Sequence, residues 1–195
     1  MQLLIRNELP ADYRETELVT RDAFWDIYRP GCDEHLIVHK ARKKSSFISE
    51  LDFVACDGKK IIGNIIYTKA KIVSAEGEEY TLVCIGPLSV LPEYQNKGVG
   101  SQLIHTSLEK ARELDFRAVT LFGDPKYYRR FGFVNAKNYN ITTKDGDNFE
   151  EFMILALSEN GLDGVTGKMY QDSVFDVNPS ELVQFEKQFP HRKKM

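Results

Sequence analysis

Residues 95–101, Gln-Asn-Lys-Gly-Val-Gly-Ser, join an apolar strand that begins near Cys84 to an amphipathic helix. A loop with glycines at 98 and 100 that feeds a helix N-terminus is built for an anion. The first N–H groups of a helix have no intrahelical partner, the helix dipole adds partial positive charge there, and glycine lets a ligand reach the backbone. The stretch therefore predicts a phosphate-bearing ligand held by Gln95, Asn96, Lys97, Gly98, Val99, Gly100 and Ser101.

Other chemistry-bearing residues are sparser. His35 and His39 are four apart, on one face of a helix. A zinc reading of that pair needs a third ligand and an adjacent glutamate, and Leu36 follows His35 instead. The cysteines, Cys32, Cys56 and Cys84, are odd in number and far apart, so neither a disulfide framework nor a paired-cysteine metal site is indicated. No metal is expected. Asp124 before Pro125 reads as a helix N-cap with proline in the first turn.

The elements that must position these residues follow in order. Leu3 to Arg6 reads as a strand, and Pro10 opens a helix whose apolar face is Leu18, Phe24 and Trp25. Glu34 to Lys44 reads as a basic helix. Strands on either side of Asp57-Gly58-Lys59-Lys60 form a hairpin. Tyr80 to Ser89 is the strand entering the glycine loop, and Ser101 to Asp115 is the helix leaving it, with Leu103, Ile104, Leu108, Ala111 and Leu114 inward. Ala118 to Phe122 is a compact β run, best placed as a parallel neighbour through a right-handed crossover. A short helix ends at Gly132. Further strands are expected at Tyr139–Thr142, Phe152–Leu157 and within Met169–Val177, with a closing helix from Pro179 to Gln188. The pattern is a single-domain α/β chain: a mixed, mostly antiparallel sheet with a central parallel β-α-β unit.

Bulk properties narrow the classes. The chain has 195 residues, 42% hydrophobic and 28% charged, which suits one domain with a real core. A formal net charge of −3 does not point to nucleic acid or an anionic membrane, and the basic run 191–194 reads as a solvated end. No apolar run approaches the ~20 residues of a membrane helix, and Met1 to Glu8 lacks the features of a signal peptide. Free thiols and these absences predict a cytoplasmic protein.

Three ligands compete for the loop. A Walker-type nucleotide site needs Gly-Lys-Ser/Thr, which does not occur. A dinucleotide fingerprint would place glycine where Leu103 stands, and would normally open the domain. The third is coenzyme A. Gln95-Asn96-Lys97-Gly98-Val99-Gly100 resembles the Q/R-x-x-G-x-G/A motif of GCN5-related N-acetyltransferases. Val90-Leu91-Pro92-Glu93-Tyr94 resembles the strand exit before that motif, and Tyr128-Arg129-Arg130-Phe131-Gly132-Phe133 the tyrosine-to-Gly-Phe segment after the next strand. The G-D-P-x-Y-Y-x-R-F-G-F form resembles the bacterial YhbS-like subgroup. The resemblance covers about residues 3–160, so residues 1–160 are expected to be the acetyltransferase domain and 161–195 a C-terminal extension packed on it.

The resemblance implies that the sheet splays between the strand ending near Ser89 and its neighbour near Phe122 to hold acetyl-CoA as co-substrate. It implies that Leu88, Ser89 and Val90 line the pantetheine arm, that Gln95 to Ser101 bind pyrophosphate, and that Tyr127 and Phe131 help to hold the cofactor. Tyr128 would be the general acid at the sulfur and the Val90 N–H the oxyanion donor. Asp124 is a candidate base, with Glu93, Glu34 and His35 as rivals. Segments 34–49 and beyond Asn160 would wall the acceptor site, and Arg42, Lys43 and Lys44 there would suit a carboxylate or phosphate or else form a solvated face. The expected partners are acetyl-CoA and an amine acceptor, with no nucleic acid or membrane and with a homodimer left open. The rival reading is a non-catalytic acyl-CoA sensor.

Overall fold

The structure is a computed structural model that describes residues 2–195. The elements run β1 (Leu3–Asn7), α1 (Tyr13–Phe24), α2 (Glu34–Ala41), β2 (Phe53–Asp57), β3 (Lys60–Val73), β4 (Glu79–Val90), α3 (Val99–Glu113), β5 (Ala118–Phe122), α4 (Pro125–Tyr128), β6 (Val134–Asn135), β7 (Ile141–Thr143), β8 (Phe152–Ala156), β9 (Gly167–Tyr170) and α5 (Pro179–Glu186). The ladder order is β1-β2-β3-β4-β5-β8-β6, with β9 on β3 and β7 on β9. The sheet is thus mixed, and the parallel β4-α3-β5 unit is present as expected. The chain divides into two compact units, and β3, β4 and α3 each contribute residues to both.

The first unit comprises the residues through Ile66, Gly86–Ser107, and Ser173 onward. β1, β2 and the start of β3 form an antiparallel ladder, with Leu3 opposite Asp57 and Phe53 opposite Ile65. The hairpin turn is Gly58-Lys59, flanked by the pair Asp57 and Lys60. β3 is buried on both faces here. Gly63 points at the Ser89 carbonyl and at Val99 and Leu103 of α3. Its neighbour Asn64 points the other way, where its Oδ1 accepts a 3.0 Å hydrogen bond from Thr20 of α1. Helices therefore cover both faces of this stretch, and its near-continuous apolar run, Ile61-Ile62-Gly63-Asn64-Ile65-Ile66, fits that placement.

Of the expected Leu18, Phe24 and Trp25 stripe, Trp25 is buried just past the end of α1 and Leu18 packs partly buried beside Leu36, but the buried face of α1 itself is more polar. It consists of Thr16, Glu17, Val19, Thr20 and Arg21. Glu17, Thr20 and Arg21 are tolerated there because they are paired, whereas the Thr16 hydroxyl has no partner among the described residues. Glu17 accepts from Arg42 at 3.0 Å and meets His39 at 2.8 Å, while Arg21 reaches Glu186 through Nε at 2.9 Å. α2 stops at Ala41, three residues before the expected Lys44, and the chain turns there. Residues 173–189 pack on α2: Val174 and Phe175 against Ile37, Val38 and Ala41, and Phe185 and Phe189 against Leu36.

The second unit comprises Tyr67–Ile85 and Leu108–Asp172. The parallel ladder between β4 and β5 has two pairs, Val83 with Val119 and Cys84 with Thr120. On its other side β5 pairs antiparallel with β8 along its whole length, from Ala118 opposite Ala156 to Phe122 opposite Phe152. β9 adds to β3 at Lys71–Val73, and β7 runs parallel to β9. The two-residue strand β6, pairing with β8 at Ile154 and Met153, has too little sequence to be anticipated. Phe133, Phe152, Tyr67 and Ile154 are fully buried within the second unit.

Candidate active site

In the first unit the strand β4 ends at Val90. The Leu91 amide donates to Ile62 O at 2.9 Å, and a 3₁₀ turn, Pro92–Tyr94, follows. Gln95 folds back so that its Nε2 donates to the Val90 carbonyl at 3.1 Å, closing the strand exit onto the loop. Ser89 is fully buried, and its hydroxyl has no partner among the described residues. Asn96 and Gly98 are both left-handed, at φ 59° and 84°. Gly98 supplies the first i→i+4 acceptor, taking the Gln102 N–H at 3.0 Å.

The helix therefore starts at Val99, two residues before the expected Ser101, and Gly100 lies inside its first turn rather than in the loop. The backbone reason is the Gly98 conformation, which bends the chain directly into helix. The first-turn amides of Val99, Gly100 and Ser101 lack intrahelical acceptors by geometry. In front of them, a Cβ on Gly98 would meet nothing within 4 Å. Lys97 is exposed, with its ammonium 5.4 Å from the Tyr94 ring centroid. The stretch thus combines free amides, a helix dipole and a lysine, all attractive to an anion.

Glu93 is exposed and pairs with Lys60 at 3.1 Å. Its own backbone amide and the Lys60 ammonium hold its carboxyl below the usual range. It lies on the wall of a cleft of about 400 Å³ with Glu15, Pro92 and Arg192.

The acceptor-wall candidates on α2 and in the turn after it are largely occupied by other contacts. Arg42 is buried, makes a bidentate pair with Glu8 at 2.8 and 2.7 Å, and lies over the Tyr13 ring. It is therefore neither a solvated cation nor a free anion receptor. Lys43 faces His39 at 3.0 Å and Lys44 reaches Ser173 at 3.1 Å. His35 is wholly buried, with Nε2 3.0 Å from Glu186 and Nδ1 3.5 Å from the Cys32 sulfur. Burial pushes its pKa down to about 4, so the ring is neutral at pH 7. That arrangement fits a core histidine held between an acceptor and a thiol. Burial also pushes the Cys32 and Cys84 thiols up to about 12, so both are unreactive.

In the second unit, Asp124 caps α4 as its sequence predicts: its Oδ1 accepts from the Lys126 amide at 2.9 Å, with Pro125 in the first turn. This short helix delivers Tyr127 and Tyr128. The two rings meet edge to face at 5.1 Å, Tyr127 packs on Phe131 at 5.5 Å, and Tyr128 packs on Phe133 at 5.8 Å. Arg130 covers Tyr127 at 4.1 Å.

The Tyr128 ring lies directly over Gly123, in the volume that a side chain there would fill. Gly123 was not singled out by its type alone; the signal was a glycine between a strand end and an Asp-Pro cap. The half-exposed Phe122, at the end of β5, and Phe149, before β8, carry no local sequence signal that marks them either.

Among the described residues no cluster of histidine, cysteine or carboxylate groups could hold a metal ion, and no helix is long and apolar enough to cross a membrane. All three cysteines are free.

Comparison with known proteins completes the picture. Residues 49–135 match the acetyltransferase (GNAT) domain model. The chain is 30% identical over 166 residues to the uncharacterized N-acetyltransferase YhbS of Escherichia coli K12, covering 85% of this chain and 93% of that one. It is similar to the crystal structure of E. coli YhbS in complex with CoA, with a TM-score of 0.79, 28% identity, and coverage of 90% of this chain and 92% of the other. It is also similar to a GNAT family acetyltransferase from Brucella melitensis in complex with acetyl-CoA, with a TM-score of 0.71, 30% identity, and coverage of 90% and 99%. With a strand, a left-handed glycine turn and a helix N-terminus where that family's motif requires them, the chain belongs to the GCN5-related N-acetyltransferase family.

Proposed function

We propose that this protein transfers the acetyl group of acetyl-CoA to a primary amine by direct attack. The observation that carries the reading is the opening of α3, where a left-handed, unobstructed Gly98 leads into first-turn amides with no helical acceptor. In this reading the amides from Gln95 to Ser101 receive the pyrophosphate and Lys97 adds positive charge. The backbone of Leu88, Ser89 and Val90 aligns the pantetheine arm, and Tyr127 and Phe131 contribute aromatic packing. Residues 1–160 act as the acetyltransferase domain and 161–195 as an extension packed on it. The CoA-bound relatives support the ligand assignment.

The chemistry assigns one role to each group. The neutral amine attacks the thioester carbonyl, forming the C–N bond, and its surplus proton leaves to water or to Asp124. The Val90 N–H donates to the developing oxyanion. When the C–S bond breaks, Tyr128 gives its phenolic proton to the departing sulfur, and solvent returns a proton to the phenolate.

Thiol release from acetyl-CoA with a panel of primary amines tests this. Tyr128→Phe keeps the ring packing and removes the proton. The expected result is a kcat loss of about 10²–10⁴-fold with little change in the KM for acetyl-CoA. Tight acetyl-CoA binding with no thiol release toward any amine would overturn the enzymatic reading.

A further inference from the structure

Two phenylalanine rings stand side by side and half exposed at the end of β5. Phe122 is 39% exposed and Phe149 44%, with centroids 5.6 Å apart and planes tilted by 30°. Phe152 lies buried against them, stacked on Phe122 at 4.9 Å and 21°. Phe122 and Phe152 are register partners, so their side chains share one face of the sheet. Single exposed apolar residues are ordinary, but a contiguous aromatic surface is a feature of interaction sites.

The platform is held in place. Asn135 Nδ2 donates to the Phe149 carbonyl at 2.8 Å, the Phe152 amide donates to the same carbonyl at 3.1 Å, and the Gly123 amide donates to Glu151 O at 2.9 Å. An ordered aromatic pair of this kind loses little conformational entropy when it is covered.

Its rim is acidic. The segment 144–151, Lys-Asp-Gly-Asp-Asn-Phe-Glu-Glu, places Asp145, Asp147, Glu150 and Glu151 around Phe149 in sequence, against the single cation Lys144. All four carboxylates are exposed, and none makes an ion pair among the described residues. A flat apolar floor with an unneutralised acidic rim complements a cation with a flat apolar body, and the ring faces attract the cation as well.

The platform also stands next to Tyr128 within the second unit. Gly123 follows Phe122 and carries the Tyr128 ring on the side where its Cβ would be. Side chains alternate along a strand, so Tyr128 and the phenylalanine pair lie on opposite sides of the end of β5. If Tyr128 protonates the leaving sulfur, as in the proposed function on which this step rests, its ring fills its own side of the strand end, and the amine has the other side from which to reach a face of the thioester carbonyl. That is the side of Phe122 and Phe149.

We propose that Phe122 and Phe149, with the acidic rim at 145–151, seat the acceptor, and that the acceptor is a primary ammonium carried on a short chain from an aromatic ring. The test measures binding to the full-length protein, by calorimetry or ligand-observed NMR, for three probes. They are phenethylamine, 3-phenylpropionate with the same ring and opposite charge, and putrescine with the charge and no ring. Phenethylamine should bind about tenfold more tightly than either, and Phe149→Ala should weaken it about tenfold. The exposed position of Phe149 keeps that variant folded, and a far-UV spectrum checks this. Glu150→Lys with Glu151→Lys should weaken phenethylamine and strengthen 3-phenylpropionate. Equal binding of the three probes, or an unchanged phenethylamine affinity in Phe149→Ala, overturns the proposal. A thiol-release assay separates it from the catalytic reading. Turnover of hydrophilic amines with none of phenethylamine defeats the aromatic seat and leaves acetyl transfer standing. Phe149-dependent binding without turnover of any amine sustains the seat and defeats acetyl transfer.

Discussion

The Tyr128 ring occupies the space that a side chain on Gly123 would fill. The two residues are five apart, and the Asp124 cap with Pro125 sets the geometry between them. The proton donor proposed for the sulfur is therefore positioned by the absence of a methyl group. Gly123→Ala should push the ring aside without removing its hydroxyl. The expected outcome is a kcat lowered at least tenfold, since small misplacements of a catalytic group are costly, with acetyl-CoA affinity retained. Steady-state kinetics beside Tyr128→Phe checks it: the double variant should be scarcely slower than the Phe variant alone.

Gly98→Asp should abolish coenzyme A binding while leaving the protein folded. An aspartate tolerates the left-handed region better than most residues, and its carboxylate faces the positive end of α3. The same charge repels pyrophosphate. Gly98→Ala adds no charge and costs about 1 kcal/mol through its backbone alone. Thermal shifts with and without CoA should show ligand stabilisation lost in the Asp variant and largely kept in the Ala variant.

Stability should fall as pH rises through the neutral range, because of Asp52. Its carboxyl is pushed up to about 9, first by burial and then by the neighbouring Glu8, with which it shares a hydrogen bond. The folded state thus holds a proton that the unfolded chain releases near pH 4. A raised pKa contributes stability at low pH that drains away as pH climbs toward 9. Asn at position 52 can still donate to Glu8 and cannot ionise. Urea melts between pH 7 and 9, where His35 is neutral in both states, should slope downward for the natural chain and run flatter for Asp52→Asn.

The seat of α5 should respond to acid and to truncation. His35 lies 5.3 Å from the ring of Phe185 and 5.0 Å from that of Phe189. Because burial holds its pKa near 4, against 6.5 when free, the His35 contribution to stability is lost as pH falls from 6.5 toward 4; Asp52 offsets it in the natural chain, so the loss should emerge in Asp52→Asn. Phe185→Ala should cost roughly 3 kcal/mol by opening a cavity between α2 and α5. Denaturant midpoints at pH 7 measure it, and a change below 1 kcal/mol would contradict the packing described.

Much of this arrangement was legible because it is written in local chemistry. Asp57-Gly58-Lys59-Lys60 marks its hairpin, Asp124-Pro125 marks its cap, and the glycine loop marks a helix entry, each within a few residues. Contacts between distant residues left no such trace. Arg42 looks like one more residue of a basic run, yet its partners Glu8 and Glu17 lie 34 and 25 positions away. Glu186, which meets both His35 and Arg21, is separated from them by 151 and 165 positions. Phe122 and Phe149 belong to segments whose spacing predicts nothing about each other. Residue type and neighbourhood disclose turns and caps, whereas pairing across the fold depends on topology that no local pattern encodes.

The placement of residues 173–195 has a consequence for the order in which the chain matures. They belong to the same unit as the residues through Ile66, while the 108–172 segment belongs to the other unit. During synthesis the later unit can therefore complete its strands while the earlier one still waits for α5. Until residues 173–189 arrive, Leu36 lacks Phe185 and Phe189, and Val38 and Ala41 lack Val174. The half begun first is closed last, and in the interval it presents a bare apolar helix face to the chaperones that attend nascent chains.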